Sequence, residues 1–174
     1  MKNAIFLIVL LVLFGCHRKS LRENPTYKLS KEKGIVTDAT FLFVASANSN
    51  MSWPDIHCFD STGEPILPYN CANSLSKFVK DLTDGDVRYL DTVQDLKHFL
   101  DSNRYYNPDG ERVLASNLPK RKFYVFYHYL YVMIEGTKDD STILQRIRAA
   151  QKIARERNVL LYLATQTSEE ISDR

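Results

Sequence analysis

Two apolar stretches joined by a helical pattern limit the folds open to this chain. Phe123 to Ile134 is the most apolar run after the N-terminal block. Both of its alternating faces are apolar or aromatic: Phe123, Val125, Tyr127, Tyr129 and Tyr131 on one, Tyr124, Phe126, His128, Leu130 and Val132 on the other. A strand of this kind is covered on both sides, so this run is expected to be central in its sheet. Asp140 or Ser141 then caps a helix whose Ile143, Leu144, Ile147, Ala150 and Ala154 recur at helical spacing, and Val159 to Ala164 follows as a second buried strand. Strand, helix, strand in that order implies a crossover unit and a largely parallel or mixed sheet.

The preceding sequence supplies more elements of the same kinds. Thr40 to Ala45 reads as a buried strand, and Ser46 to Pro54 as a loop of turn formers. Asp55–Phe59 and Glu64–Leu67 flank Asp60-Ser-Thr-Gly63, a hairpin signal in which Gly63 takes the φ > 0 position. Pro65 has no N–H to give a ladder, so the second arm is expected to be short or at an edge. Leu75, Phe78, Val79 and Leu82 mark a helix ended by Asp84-Gly85, and Val87–Leu90 is a short strand. Thr92-Val-Gln-Asp95 has the form of a capping box for a helix that buries Val93, Leu96, Phe99 and Leu100. Residues 102–121 read as a polar loop holding the Asn107-Pro-Asp-Gly110 turn. The fold class expected is α/β (or α+β), one small domain with a mixed sheet of about four to six strands and three helices.

The N-terminus carries a different message. Lys2 precedes an unbroken apolar block, Ala4 to Phe14, and Gly15-Cys16-His17-Arg18-Lys19 follows. A membrane-spanning helix needs roughly 20 apolar residues, and this block has about half that. It fits the apolar core of a secretory signal. Leu13-Phe14-Gly15-Cys16 resembles the lipobox of bacterial lipoproteins, with Phe14 bulkier than the residue usual at its place. The resemblance covers the signal alone. It implies cleavage before Cys16 and acylation, palmitate-type chains included, of that cysteine. His17 stands where lipoproteins retained in the inner membrane of many Gram-negative bacteria carry Asp, which implies the periplasmic leaflet of the outer membrane. The expected organisation is a signal peptide at 1–15, a lipidated Cys16 with a flexible basic tether through residue 38, a globular domain at 39–167 and a polar tail at 168–174. The tether reading rests on His17, Arg18, Lys19, Arg22, Lys28, Lys31 and Lys33 crowding a segment with few apolar residues.

Composition then narrows the function. The chain is 44% hydrophobic, as expected of a globular protein, and its formal net charge is only +2. That balance argues against nucleic acid as the main partner, because affinity there rests on neutralising phosphates. Cys58 and Cys71 are an even pair in an oxidising compartment and permit one disulfide. Trp53-Pro-Asp-Ile-His-Cys58 is similar to the start of the thioredoxin-like redox site. That family's resolving thiol lies at Cys-x-x-Cys spacing, whereas the next cysteine here is Cys71. His57 and Cys58 are strand neighbours on opposite faces and cannot share a proton. His98 and His128 stand alone, and His57, Cys58, Cys71, His98 and His128 match no zinc spacing, so neither metal nor cofactor is expected. Asp139-Asp140 sits where a helix start favours negative charge. Candidate contacts for a protein partner are Tyr105 and Tyr106 in the long loop and the basic stripe Arg148, Lys152 and Arg155. No catalytic set is identified. The sequence therefore reads as a lipid-anchored envelope protein acting as a non-catalytic binding module, either an accessory subunit or a toxin-immunity-like protein. The alternative is an envelope enzyme, a thiol-dependent, thioredoxin-like oxidoreductase.

Overall fold

The computed structural model describes residues 20–45, 55–68, 74–91, 94–129, 134–139 and 141–166. Residues 1–19, which include the expected signal peptide and Cys16, the 46–54 segment, Cys71, Thr92, Val93, residues 130–133, Asp140 and residues 167–174 lie outside the described residues.

The fold is α/β. Seven strands are described: β1 (Phe41–Val44), β2 (Asp55–Asp60), β3 (Ile66–Pro68), β4 (Val87–Tyr89), β5 (Tyr105–Tyr106), β6 (Phe123–His128) and β7 (Val159–Gln166). Four α-helices accompany them: α1 (Pro25–Glu32), α2 (Leu75–Asp84), α3 (Leu96–Asn103) and α4 (Thr142–Glu156). The main sheet has the order β2-β6-β7-β1-β5, and β3 and β4 form a separate antiparallel pair. β7 lies parallel to β6 on one side and to β1 on the other, while β2 and β5 are antiparallel edges. The crossover expected between residues 123 and 164 is therefore present as β6–α4–β7. β6 lies one place off centre, with β7 in the middle of the sheet.

Both faces of the sheet are covered. On one side α1, α2 and α4 pack over Phe41, Phe43, Val125, Leu161 and Leu163. On the other, α3 closes over Leu42, Phe59, Phe126 and Tyr162. The continuous apolar runs of β1, β6 and β7 follow from this double burial. Ser141 caps α4 by accepting from Leu144 N. Asp95, rather than Thr92, caps α3, its carboxylate accepting from His98 N at 2.7 Å. The hairpin after β2 is reduced to one bridge, Phe59 to Pro65, and the second arm leaves to pair with β4. Asp60 Oδ1 organises that turn by accepting from Thr62 N, Thr62 Oγ1 and Glu64 N. Gly63 has φ +94, and a Cβ there would lie 3.3 Å from Leu96 Cβ.

Residues 20–38 correct the tether expectation. They fold onto the domain as a 3₁₀ turn at Leu21–Glu23 followed by α1, with Pro25 at its first turn and Asn24 as its cap. Leu21, Tyr27, Ile35 and Val36 are buried. Buried Ser30 meets Tyr129 Oη at 2.5 Å. Arg22 bridges Asp38 and Asp109, and Asp38 also accepts from Tyr27 and Lys31. Of the basic residues that suggested a solvated spacer, Arg22, Lys28, Lys31 and Lys33 keep solvent contact, while Leu21, Tyr27, Ile35 and Val36 turn inward.

Candidate functional site

A carboxylate and two histidines meet where the start of β2 pairs with the carboxyl end of β6. The antiparallel register sets Asp55 opposite His128 and His57 opposite Phe126. Alternation along each strand then places Asp55, His57 and His128 on one face, towards α3. One donor atom from each of the three lies within 4.8 Å of the other two. His57 Nε2 is 3.0 Å from Asp55 Oδ2, an ion-pair distance reached outside hydrogen-bond geometry. The His57 ring lies 4.6 Å from Phe99 and 5.2 Å from the His128 ring, centroid to centroid. Tyr105 Oη contacts His128 Nε2 at 2.6 Å and fixes that ring from beneath.

Burial sets the electrostatics. His128 is fully buried, and the loss of solvation, reinforced by His57, pushes its pKa down to about 3. The ring is therefore neutral at physiological pH. His57 beside Asp55 holds that carboxyl below its ordinary range against the opposing effect of burial. Tyr105, buried among rings, has its phenol pKa raised well above the usual value. Asp55 and His57 remain about a third exposed and line a cleft of about 510 Å³ together with Leu67, Leu90 and Phe99. A larger cleft of about 830 Å³ sits near the amino ends of the parallel strands, where Arg121, Arg155 and Glu156 face it without a converging set of ligand groups. The carboxyl ends are where ligands bind in open α/β sheets.

Searches by family model, by curated protein and by solved structure return no match to this chain. The site therefore has to be read from its own residues.

The residues singled out from the sequence fall elsewhere. Tyr105 and Tyr106 are not a loop surface: they form edge strand β5, pair with Val44 and Phe43, and are buried. Asn103, Arg104 and Asn107 on either side hide an aromatic pair that completes the sheet. Arg148 is drawn into the fold, donating to Asp139 O at 2.8 Å and to Lys33 O. Lys152 and Arg155 stay exposed on α4. Asp139 pairs with Lys33 at 3.0 Å. His98 is exposed on α3. Cys58 is buried on the face opposite His57, and burial pushes its thiol pKa well above the ordinary range. Its partner in the expected disulfide, Cys71, lies outside the described residues.

Sequence reasoning missed Asp55 and His128 as neighbours. The Asp-x-His spacing in a strand and a histidine within an aromatic strand were both visible. Their pairing depends on a register between segments far apart in the chain.

Proposed function

We propose that this chain is a lipid-anchored envelope protein, held by acylated Cys16 at the periplasmic leaflet of the outer membrane, whose domain binds a protein partner without catalysis. The observation that carries the reading is the way the chain enters the folded body. Leu21 is buried, its N–H donates to Pro108 O at 2.9 Å, and Arg22 is clamped by Asp38 and Asp109. Only residues 17–19 separate Cys16 from Ser20, a reach of about 14 Å at full extension. An anchor at Cys16 thus holds the domain against the bilayer, presenting one constant face to the periplasm. Among the described residues no helix is long and apolar enough to cross a membrane. Attachment in this reading is by the acyl chains on Cys16. The buried Cys58, with its raised thiol pKa, suits a structural cysteine better than a redox nucleophile. With Tyr105 and Tyr106 buried, the partner surface falls to the outer side of α4, where Lys152 and Arg155 are exposed.

The test is co-purification of the tagged full chain from detergent-solubilised envelopes, beside a Lys152→Glu/Arg155→Glu variant. The reading expects one stoichiometric protein that the variant loses while remaining in the membrane fraction. Recovery of the same protein at the same yield with the variant would remove α4 as the contact. Failure to recover any stoichiometric protein would remove the binding role.

A further inference from the structure

We propose that Asp55, His57 and His128 bind a divalent transition-metal ion, with Zn²⁺ the best match, at the mouth of the cleft beside β2. The site stands independently of the membrane-anchored reading above. Two imidazoles and one carboxylate are the donor types that zinc and its neighbours select, at about 2.0–2.2 Å per bond. Donors around one tetrahedral ion lie roughly 3.5 Å apart at those bond lengths. The three donor atoms here are within 4.8 Å of one another, so a rotamer adjustment of about an ångström closes the set. Asp55 and His57 are about a third exposed and have room to make it. His128 is fully buried and supplies the fixed point.

The surroundings match a metal ligand's needs. A ligating histidine holds its second ring nitrogen to a hydrogen-bond partner, which fixes tautomer and orientation. Tyr105 Oη, 2.6 Å from His128 Nε2, is placed to accept that N–H, and the lone pair is then at Nδ1. The planes of the Tyr105 and His128 rings are nearly parallel, 11° apart, and Phe99 packs against both as well as against His57. The carboxylate brings the negative charge that offsets part of the ion's own. Three protein donors leave one tetrahedral position open to water from the cleft. An arrangement serving packing alone has no need to bring a carboxylate and a second imidazole to a buried histidine.

The test uses the full chain in detergent, stripped with a chelator and titrated with zinc chloride by calorimetry, then with Co²⁺ followed by visible absorption. His57→Ala and Asp55→Asn alter groups about a third exposed and keep the fold, which the thermal transition of each metal-free variant verifies. The expected result is one zinc ion per chain, the intense visible bands of four- or five-coordinate cobalt, and a higher Tm with zinc. Each variant weakens zinc at least about tenfold and loses the cobalt bands, while exposed His98→Ala changes neither. Zinc affinity unchanged in His57→Ala and Asp55→Asn, or no stoichiometric binding by the unaltered chain, overturns the proposal. Either outcome leaves membrane attachment and partner recovery to be judged separately.

Discussion

Tyr27→Ala is the sharpest test of the N-terminal segment as part of the domain. Tyr27 is 2% exposed, with its ring 5.2 Å from Phe41 and 6.4 Å from Phe43, both of them core residues of β1. Truncating a buried aromatic ring to alanine removes its transfer free energy and leaves a cavity, a cost of about 3–5 kcal/mol. The hydroxyl adds little, because Asp38 is 41% exposed and is also held by Arg22 and Lys31. Tyr27→Phe should therefore cost about 1 kcal/mol or less. Domains of this size lose roughly 2–4 °C of Tm per kcal/mol, so the alanine variant should melt about 10 °C lower. Urea unfolding followed by far-UV circular dichroism reads the difference as a fall in midpoint with unchanged slope. A residue on a solvated spacer would change stability by no more than about 0.5 kcal/mol. That result for Tyr27→Ala would refute the docking of α1.

Three further outcomes follow from the same structure. Tyr105→Phe removes the buried contact with His128 and should cost about 1–3 kcal/mol in urea unfolding despite leaving the ring in place. Cys58 should resist alkylation at neutral pH in the folded, reduced protein and react fully in denaturant, as mass spectrometry will report; rapid labelling of the native chain would contradict its burial. Asp38 has a folded pKa depressed by hydrogen bonds from Tyr27, Lys31 and Arg22. The stability it contributes is complete above the unfolded aspartate pKa near 3.9 and drains away as pH falls below it. Asp38→Asn should flatten that acid limb, by a modest amount because the group is partly exposed; parallel pH–stability curves would count against the cluster.

The alternation of strands and helices was legible because burial on both faces of β6 and β7 leaves continuous apolar runs, and the α4 stripe has helical period. The helices α2 and α3 were legible from Leu75, Phe78, Val79 and Leu82 and from Leu96, Phe99 and Leu100. The α1 segment was not, because Lys28, Lys31 and Lys33 dominate its composition while only Leu21, Tyr27, Ile35 and Val36 enter the core. Tyr105 and Tyr106 looked like a surface because a two-residue edge strand has no periodicity to read. The polar cluster depended on pairing Asp55 with His128, and register between distant strands is set by the assembled sheet rather than by either segment.

The proposed attachment through Cys16 can be read from the mature protein itself, by intact-mass and N-terminal peptide spectrometry of material extracted from envelope membranes. The expected species begins at Cys16 and carries a diacylglyceryl thioether and an N-acyl chain, and Cys16→Ser yields a soluble or uncleaved chain without them. A mature protein that begins elsewhere, or an unmodified Cys16 in the membrane fraction, would contradict the account.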